Sequence, residues 1–75
     1  MTNNTCSLSK NGMLSNLQAC LSSEKRAIEL YQNLLDILTE TMEIEKIKTI
    51  ITDEKRHVAL VENLIQVIQN YYTEA

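Results

Sequence analysis

Two rows of apolar residues, with steps that alternate between three and four positions, constrain the fold of this chain most strongly. The first row is Leu14, Leu17, Leu21, Glu24, Ile28, Tyr31, Leu35 and Leu38, and the second is Ile44, Ile47, Ile51, Glu54, Val58, Val61, Ile65, Ile68 and Tyr72. This spacing is typical of the buried seam of a bundled helix. The second row is two positions out of phase with the first, which predicts two helices rather than one long rod.

The two predicted helices need a turn between them. We place it at 39–41, with Thr41 as the candidate N-cap and Glu43 in the first turn of the second helix. Residues 1–12 are polar and are predicted to form a flexible N-terminal tail. The helical hairpin domain is then predicted to span 13–73.

Composition supports this all-α fold and excludes several classes of protein. The chain has no proline, one glycine, 44% hydrophobic and 23% charged residues, which favours long helices in a folded protein. A net charge of -3 argues against nucleic-acid binding, and the apolar runs are too short to span a membrane. The first ten residues lack the apolar segment of a secretion signal, and Cys6 and Cys20 are too few for a disulfide framework. We therefore expect a cytoplasmic protein.

Each seam is interrupted by a single glutamate. Glu24 and Glu54 have their midpoint at position 39, so an antiparallel hairpin places them at the same level on facing surfaces. His57 lies one turn further along the second helix, about 4.5 Å of helix rise from Glu54. Two helices cannot enclose an apolar face as wide as this one. We therefore predict a homodimer that forms a four-helix bundle and brings two sets of these residues together.

Four carboxylates and two imidazoles in one bundle centre point to metal binding. An unpaired buried carboxylate costs several kcal/mol, and four together would have to take up protons or separate the helices. Two divalent cations neutralise their formal charge, and carboxylate with imidazole suits iron, manganese or zinc. The same ligand pattern occurs in di-iron four-helix bundles.

The stretches "SSEKRAIELYQNLL" and "ITDEKRHVALVENLI" resemble the two halves of a rubrerythrin or ferritin-like repeat. Because the chain carries one hairpin, it resembles most the encapsulated ferritins, or half-ferritins, of this superfamily. Their metal-site pattern matches Glu24, Tyr31, Glu54 and His57. The resemblance implies a ferroxidase that oxidises Fe(II) with dioxygen or peroxide. It also implies that Glu54 bridges two irons, that Glu24 and His57 are terminal ligands, and that Tyr31 bonds a ligand or supplies an electron.

The resemblance further implies an assembly. Encapsulated ferritins form decameric rings of five dimers and are carried inside encapsulin shells that store iron mineral. Encapsulin cargo ends in a short targeting peptide, whereas this sequence ends at "NYYTEA". We expect either that such a peptide lies outside this sequence or that the protein does not enter a shell.

Several alternatives stay open at this point. The same di-iron site could serve a rubrerythrin-like peroxidase, and a metal-free helical dimerisation module would explain the seams alone. Singly, His57 could be a hydrogen-bonded interior histidine, and Tyr31 could simply pack on the seam. Cys20 could join the metal as a thiolate, although we expect a small buried hydrophobe there. The pattern assigns no role to Cys6, and it does not fix the native metal, the oxidant or the assembly beyond the dimer.

Overall fold

The computed structural model describes residues 9–71, which form two α-helices packed against each other. Helix α1 spans Lys10–Leu35 and helix α2 spans Thr41–Tyr71. Residues 36–40 connect them and reverse the direction of the chain. The predicted all-α hairpin is confirmed, and dimerisation stays a prediction.

Helix α1 begins earlier than the first apolar row suggests. Ser9 has extended backbone angles (φ -81°, ψ 160°), and its hydroxyl oxygen accepts a hydrogen bond from the Gly12 amide at 2.9 Å. A serine in this position satisfies an amide that the first helical turn leaves unpaired. The helix therefore includes the last three residues of the predicted tail. Residues 1–8 of that tail, with Cys6, lie outside the described residues, as does Tyr72.

Helix α2 begins at Thr41, but the predicted N-cap at Thr41 is wrong. The backbone carbonyl of Glu40 accepts from the Ile44 amide at 3.0 Å, which is the first hydrogen bond of the helix. The Glu40 side chain also accepts from the Met42 amide at 3.1 Å. Glu40 therefore caps the helix, and its carboxylate suits the positive end of the helix dipole.

The core of the hairpin is thin. Among the described hydrophobic residues, only Ile51, Ile65 and Ile68 are buried, each 7% exposed. Many large apolar side chains stay in contact with solvent: Leu30, Leu34, Ile37, Met42, Ile50, Leu60, Leu64, Val67 and Tyr71. Within residues 9–71, neither helix combines the length and apolar character needed to cross a lipid bilayer. The hairpin thus leaves uncovered an amount of apolar surface that usually marks an association site.

Candidate metal centre

The structure brings Glu24, Glu54 and His57 together. Glu24 projects from α1, Glu54 and His57 project from α2, and each offers a donor atom within 4.8 Å of the other two. Glu54 and His57 share a face because side chains three residues apart are neighbours on a helix. Glu24 reaches them because the antiparallel packing places the middle of α1 level with the middle of α2. Two carboxylates and an imidazole therefore form one cluster across the seam.

The two distances from His57 to the carboxylates fit a first-row metal ion. His57 Nδ1 lies 3.4 Å from Glu54 Oε1 and 3.9 Å from Glu24 Oε2. Two donors bound to one such ion at about 2.1 Å lie at most about 4.2 Å apart. Both histidine–carboxylate pairs are inside this limit. A cation could therefore bind the imidazole together with either carboxylate in this arrangement.

The electrostatics of the cluster also favour a cation. A hydrogen bond with Glu54 raises the pKa of Glu24 above its usual 4.5, and partial desolvation and the negative charge of Glu54 act in the same direction. The nearby His57 lowers that pKa and offsets part of the effect. Negative charge on both carboxylates at once is therefore disfavoured in the hairpin. A divalent metal ion between them would neutralise that charge.

The cluster is enclosed unevenly. The Glu54 and Glu24 side chains are 20% and 28% exposed, whereas His57 is 46% exposed. His57 stands in a heptad row with Ile50, Leu64 and Tyr71, all of which are exposed apolar residues. The imidazole therefore lies where the cluster meets the uncovered apolar surface, and the cluster is open on that side.

One side of the hairpin carries most of this apolar surface. On α2 it consists of the exposed residues of this row and of the neighbouring Leu60 and Val67, and on α1 of Leu30 and Leu34. An apolar groove is lined by Asn16 of α1 and Leu64 of α2, so these two residues lie on the same side of the seam. Asn16 and Leu30 are two heptads apart on α1 and therefore share a face of that helix. The exposed apolar residues of both helices thus border the seam on the same side. We call this side the apolar face.

The opposite side of the seam is polar. A shallow groove there has Leu21, Ala59 and Ile65 in its lining, and its other lining side chains are amides and a carboxylate: Gln18, Glu62, Asn63, Gln66 and Gln69. Lys25 pairs with Glu62 across the two helices at 3.7 Å, and both side chains are more than half exposed. We call this the polar side, and its groups are those that water solvates well.

Tyr31 and Cys20 stand apart from the three-residue cluster. Tyr31 is half-buried on the seam, two turns from Glu24, and its role in chemistry stays a prediction. Cys20 is a free thiol and is exposed, so its expected burial is wrong for the hairpin. It lies beside the seam rather than on it.

No family model, curated protein or solved structure matches the chain. The resemblance to ferritin-like proteins therefore stays a prediction. The function has to be argued from the donor atoms of the cluster and from the surface that surrounds them.

Proposed function

We propose that this chain is a di-iron ferroxidase of the encapsulated-ferritin type, with its metal site across a homodimer interface. The observation that carries the proposal is the cluster of Glu24, Glu54 and His57 at the border of the apolar face. Iron storage or detoxification is the role that this activity would serve. A four-helix bundle has no room for a mineral core, so storage would use a separate shell, as in the encapsulated ferritins.

A second copy of the chain is the partner that fits best. One hairpin offers two carboxylates and one imidazole, fewer donors than iron usually takes. The open side of the cluster is also the apolar face, so one docking event would cover the apolar rows and add a second set of donors. A two-fold dimer needs such a self-complementary surface. Four carboxylates then balance two Fe(II) ions in formal charge.

Each cluster residue has a distinct role in binding Fe(II), the substrate. Glu54 is the least exposed of the three and lies nearest the imidazole, so we assign it the bridging position between two ions. Glu24 binds one ion terminally. His57 binds through the lone pair of its Nδ1. Tyr31 would hydrogen-bond a ligand or supply an electron from the seam.

The reaction balances with dioxygen as oxidant. Two Fe(II) ions lose one electron each, and one dioxygen molecule takes up both electrons and two protons to leave as hydrogen peroxide. The carboxylates favour the product because Fe(III) carries the higher charge and binds oxygen donors more strongly. Holding both ions in one site lets the two electrons pass to a single oxidant molecule.

An anaerobic titration tests this function directly. The metal-free protein would be titrated with Fe(II) while its mass and oligomeric state are followed, and air would then be admitted. We expect one iron per chain, dimer formation with loading, and ferric absorbance after air. Glu24→Ala, Glu54→Ala and His57→Ala should each lose iron binding and oxidation. Glu29→Ala and Glu62→Ala, which remove exposed carboxylates from the same helices, should behave like the parent.

Two outcomes would point to the alternatives. If the three cluster variants are as stable as the parent and the parent binds no iron, the chain is a metal-free dimerisation module. If the loaded protein reacts much faster with peroxide than with dioxygen, the peroxidase alternative is favoured. Titrations with Mn(II) and Zn(II) beside Fe(II) would show which metal the site prefers.

A further inference from the structure

The two helices carry one sequence pattern twice, at a spacing of 30 residues. "EKRAIELYQNLLDIL" at 24–38 and "EKRHVALVENLIQVI" at 54–68 are identical at six positions, and the seam positions of both are mostly aliphatic. The pattern aligns Glu24 with Glu54 and Leu30 with Leu60. It aligns the buried Ile65 with the half-buried Leu35. The hairpin is therefore built from two related halves.

In an antiparallel hairpin, two such halves are related by an approximate two-fold axis. Glu24 and Glu54 meet at that axis, because their side chains belong to one cluster. Take a residue that follows Glu24 by some number of positions and the residue that follows Glu54 by the same number. These two residues lie equally far from the axis, in opposite directions along the hairpin. Ala27 is the counterpart of His57 under this relation.

The cluster is asymmetric at this one pair of positions. His57 Nδ1 reaches both carboxylates, at 3.4 Å and 3.9 Å. By the approximate symmetry, a long side chain at position 27 would reach the same carboxylates from the other side. Ala27 is half-buried and has only a methyl group, so it offers no donor there. Each hairpin thus supplies three donor groups, although the repeat has a fourth equivalent position, which Ala27 occupies.

We propose that Ala27 keeps one coordination position of each bound iron open to dioxygen. This inference rests on the proposed ferroxidase function and adds a residue that controls access of the oxidant. With Glu54 bridging, each ion in the dimer contacts one imidazole, one Glu24 and the Glu54 of both chains. Iron sites that react with dioxygen keep positions free of protein ligands. A donor at position 27 would fill such a position on the α1 side of the cluster.

Azide binding to the Co(II)-loaded dimer tests this inference without relying on turnover. Co(II) reports its coordination by visible absorption, and azide is a small ligand that occupies open positions. We expect azide to change the spectrum of the loaded parent. In Ala27→His, we expect Co(II) to bind at least as tightly as in the parent and azide to bind at least tenfold more weakly. Oxidation of Fe(II) in air should also be at least tenfold slower in this variant.

Ala19→His is the matched control, because it adds the same group at an exposed position of the same helix, away from the cluster. It should match the parent in Co(II) affinity, azide response and oxidation. Should Ala27→His fail to load, Ala27→Gln repeats the test with an amide oxygen and a stronger helix former.

Three results would overturn the inference: no azide response in the Co(II)-loaded parent, equal azide affinity in the parent and the loaded variants, or loss of the dimer in every variant at position 27. The last would make Ala27 a packing position. A parent that binds no Co(II) is a separate result and contradicts the proposed function itself.

Discussion

The two sides of the helical seam differ in what they leave to solvent. On the apolar face, Leu60 is 55% exposed and Val67 is 54% exposed, although leucine and valine side chains are usually buried in folded proteins. On the polar side, the cross-helix contact at the same seam is an ion pair between Lys25 and Glu62. Water solvates the ion pair of the polar side well and the exposed side chains of the apolar face poorly.

This difference explains where the candidate metal centre stands. The cluster sits on the seam, but its most exposed member, His57, belongs to the row of the apolar face. A partner that covers the face would therefore also close the cluster. The ion pair of the polar side is already solvated. Each prediction below tests whether the two sides differ in this way.

The largest effect is expected from a charge on the apolar face. Val67→Lys places an ammonium group ten residues from His57, about 15 Å along the helix, so it cannot touch the cluster. If a second copy covers this face, the charge must be desolvated, and we expect the dimer to weaken at least 100-fold, about 2.7 kcal/mol. Sedimentation equilibrium measures the dimer dissociation constant, and iron binding should fall with it.

Gln66→Lys is the control, since it makes the same addition one residue earlier, in the groove of the polar side. It should leave the dimer intact. Equal weakening by both variants would show that the two sides are alike in the assembly.

The sequence was sufficient to predict the hairpin and the cluster because both follow from helix periodicity. The alternation of three and four identifies each seam, and the midpoint of Glu24 and Glu54 places them level. The helix starts were harder. Glu40 and Thr41 both carry oxygen acceptors, and only the backbone geometry shows that Glu40 accepts the first helical hydrogen bond. The exposure of Cys20 could not be predicted either, because the apolar pattern does not show whether a position beside the seam is covered.

A second test compares carboxylates on the seam and on the polar side. Glu54→Leu extends the apolar seam next to Ile51, and we expect the metal-free protein to gain about 1–2 kcal/mol of unfolding free energy. The same variant should lose metal binding. Urea unfolding with a chelator, at one fixed protein concentration, measures the gain. Glu62→Leu, at a side chain that is 53% exposed, should change stability little. A loss of stability in Glu54→Leu would mean that its carboxylate stabilises the hairpin without metal.

A smaller effect should appear in the pH dependence of the metal-free protein. The hydrogen bond with Glu54 raises the pKa of Glu24, so the folded state holds this proton more tightly than the unfolded state does. The stabilisation is therefore present below the usual pKa of 4.5 and is lost as pH rises through the raised value. Glu24→Gln keeps a hydrogen-bonding group that cannot ionise. Its stability relative to the parent should thus increase as pH rises from below 4.5 through the raised pKa of Glu24.

Glu29→Gln is the reference for this titration, because Glu29 is exposed and pairs with Arg26 on its own helix. Its stability relative to the parent should not show the same rise. A flat difference for Glu24→Gln would mean that the two seam carboxyl groups share no proton in solution.

The smallest effect is expected from the ion pair of the polar side. Lys25 and Glu62 are 3.7 Å apart and more than half exposed, so a double-mutant cycle of Lys25→Ala and Glu62→Ala should give a coupling of about 0.2–0.5 kcal/mol that fades with added salt. The repeat supports this small value. Lys55 is the counterpart of Lys25, but the uncharged Gln32 stands at the counterpart of Glu62, so the pattern carries this charge pair in one half only. A contact that held the helices in register would be needed in both halves. A coupling well above 1 kcal/mol that resists salt would instead show that the polar side is desolvated, and the contrast with the apolar face would fail.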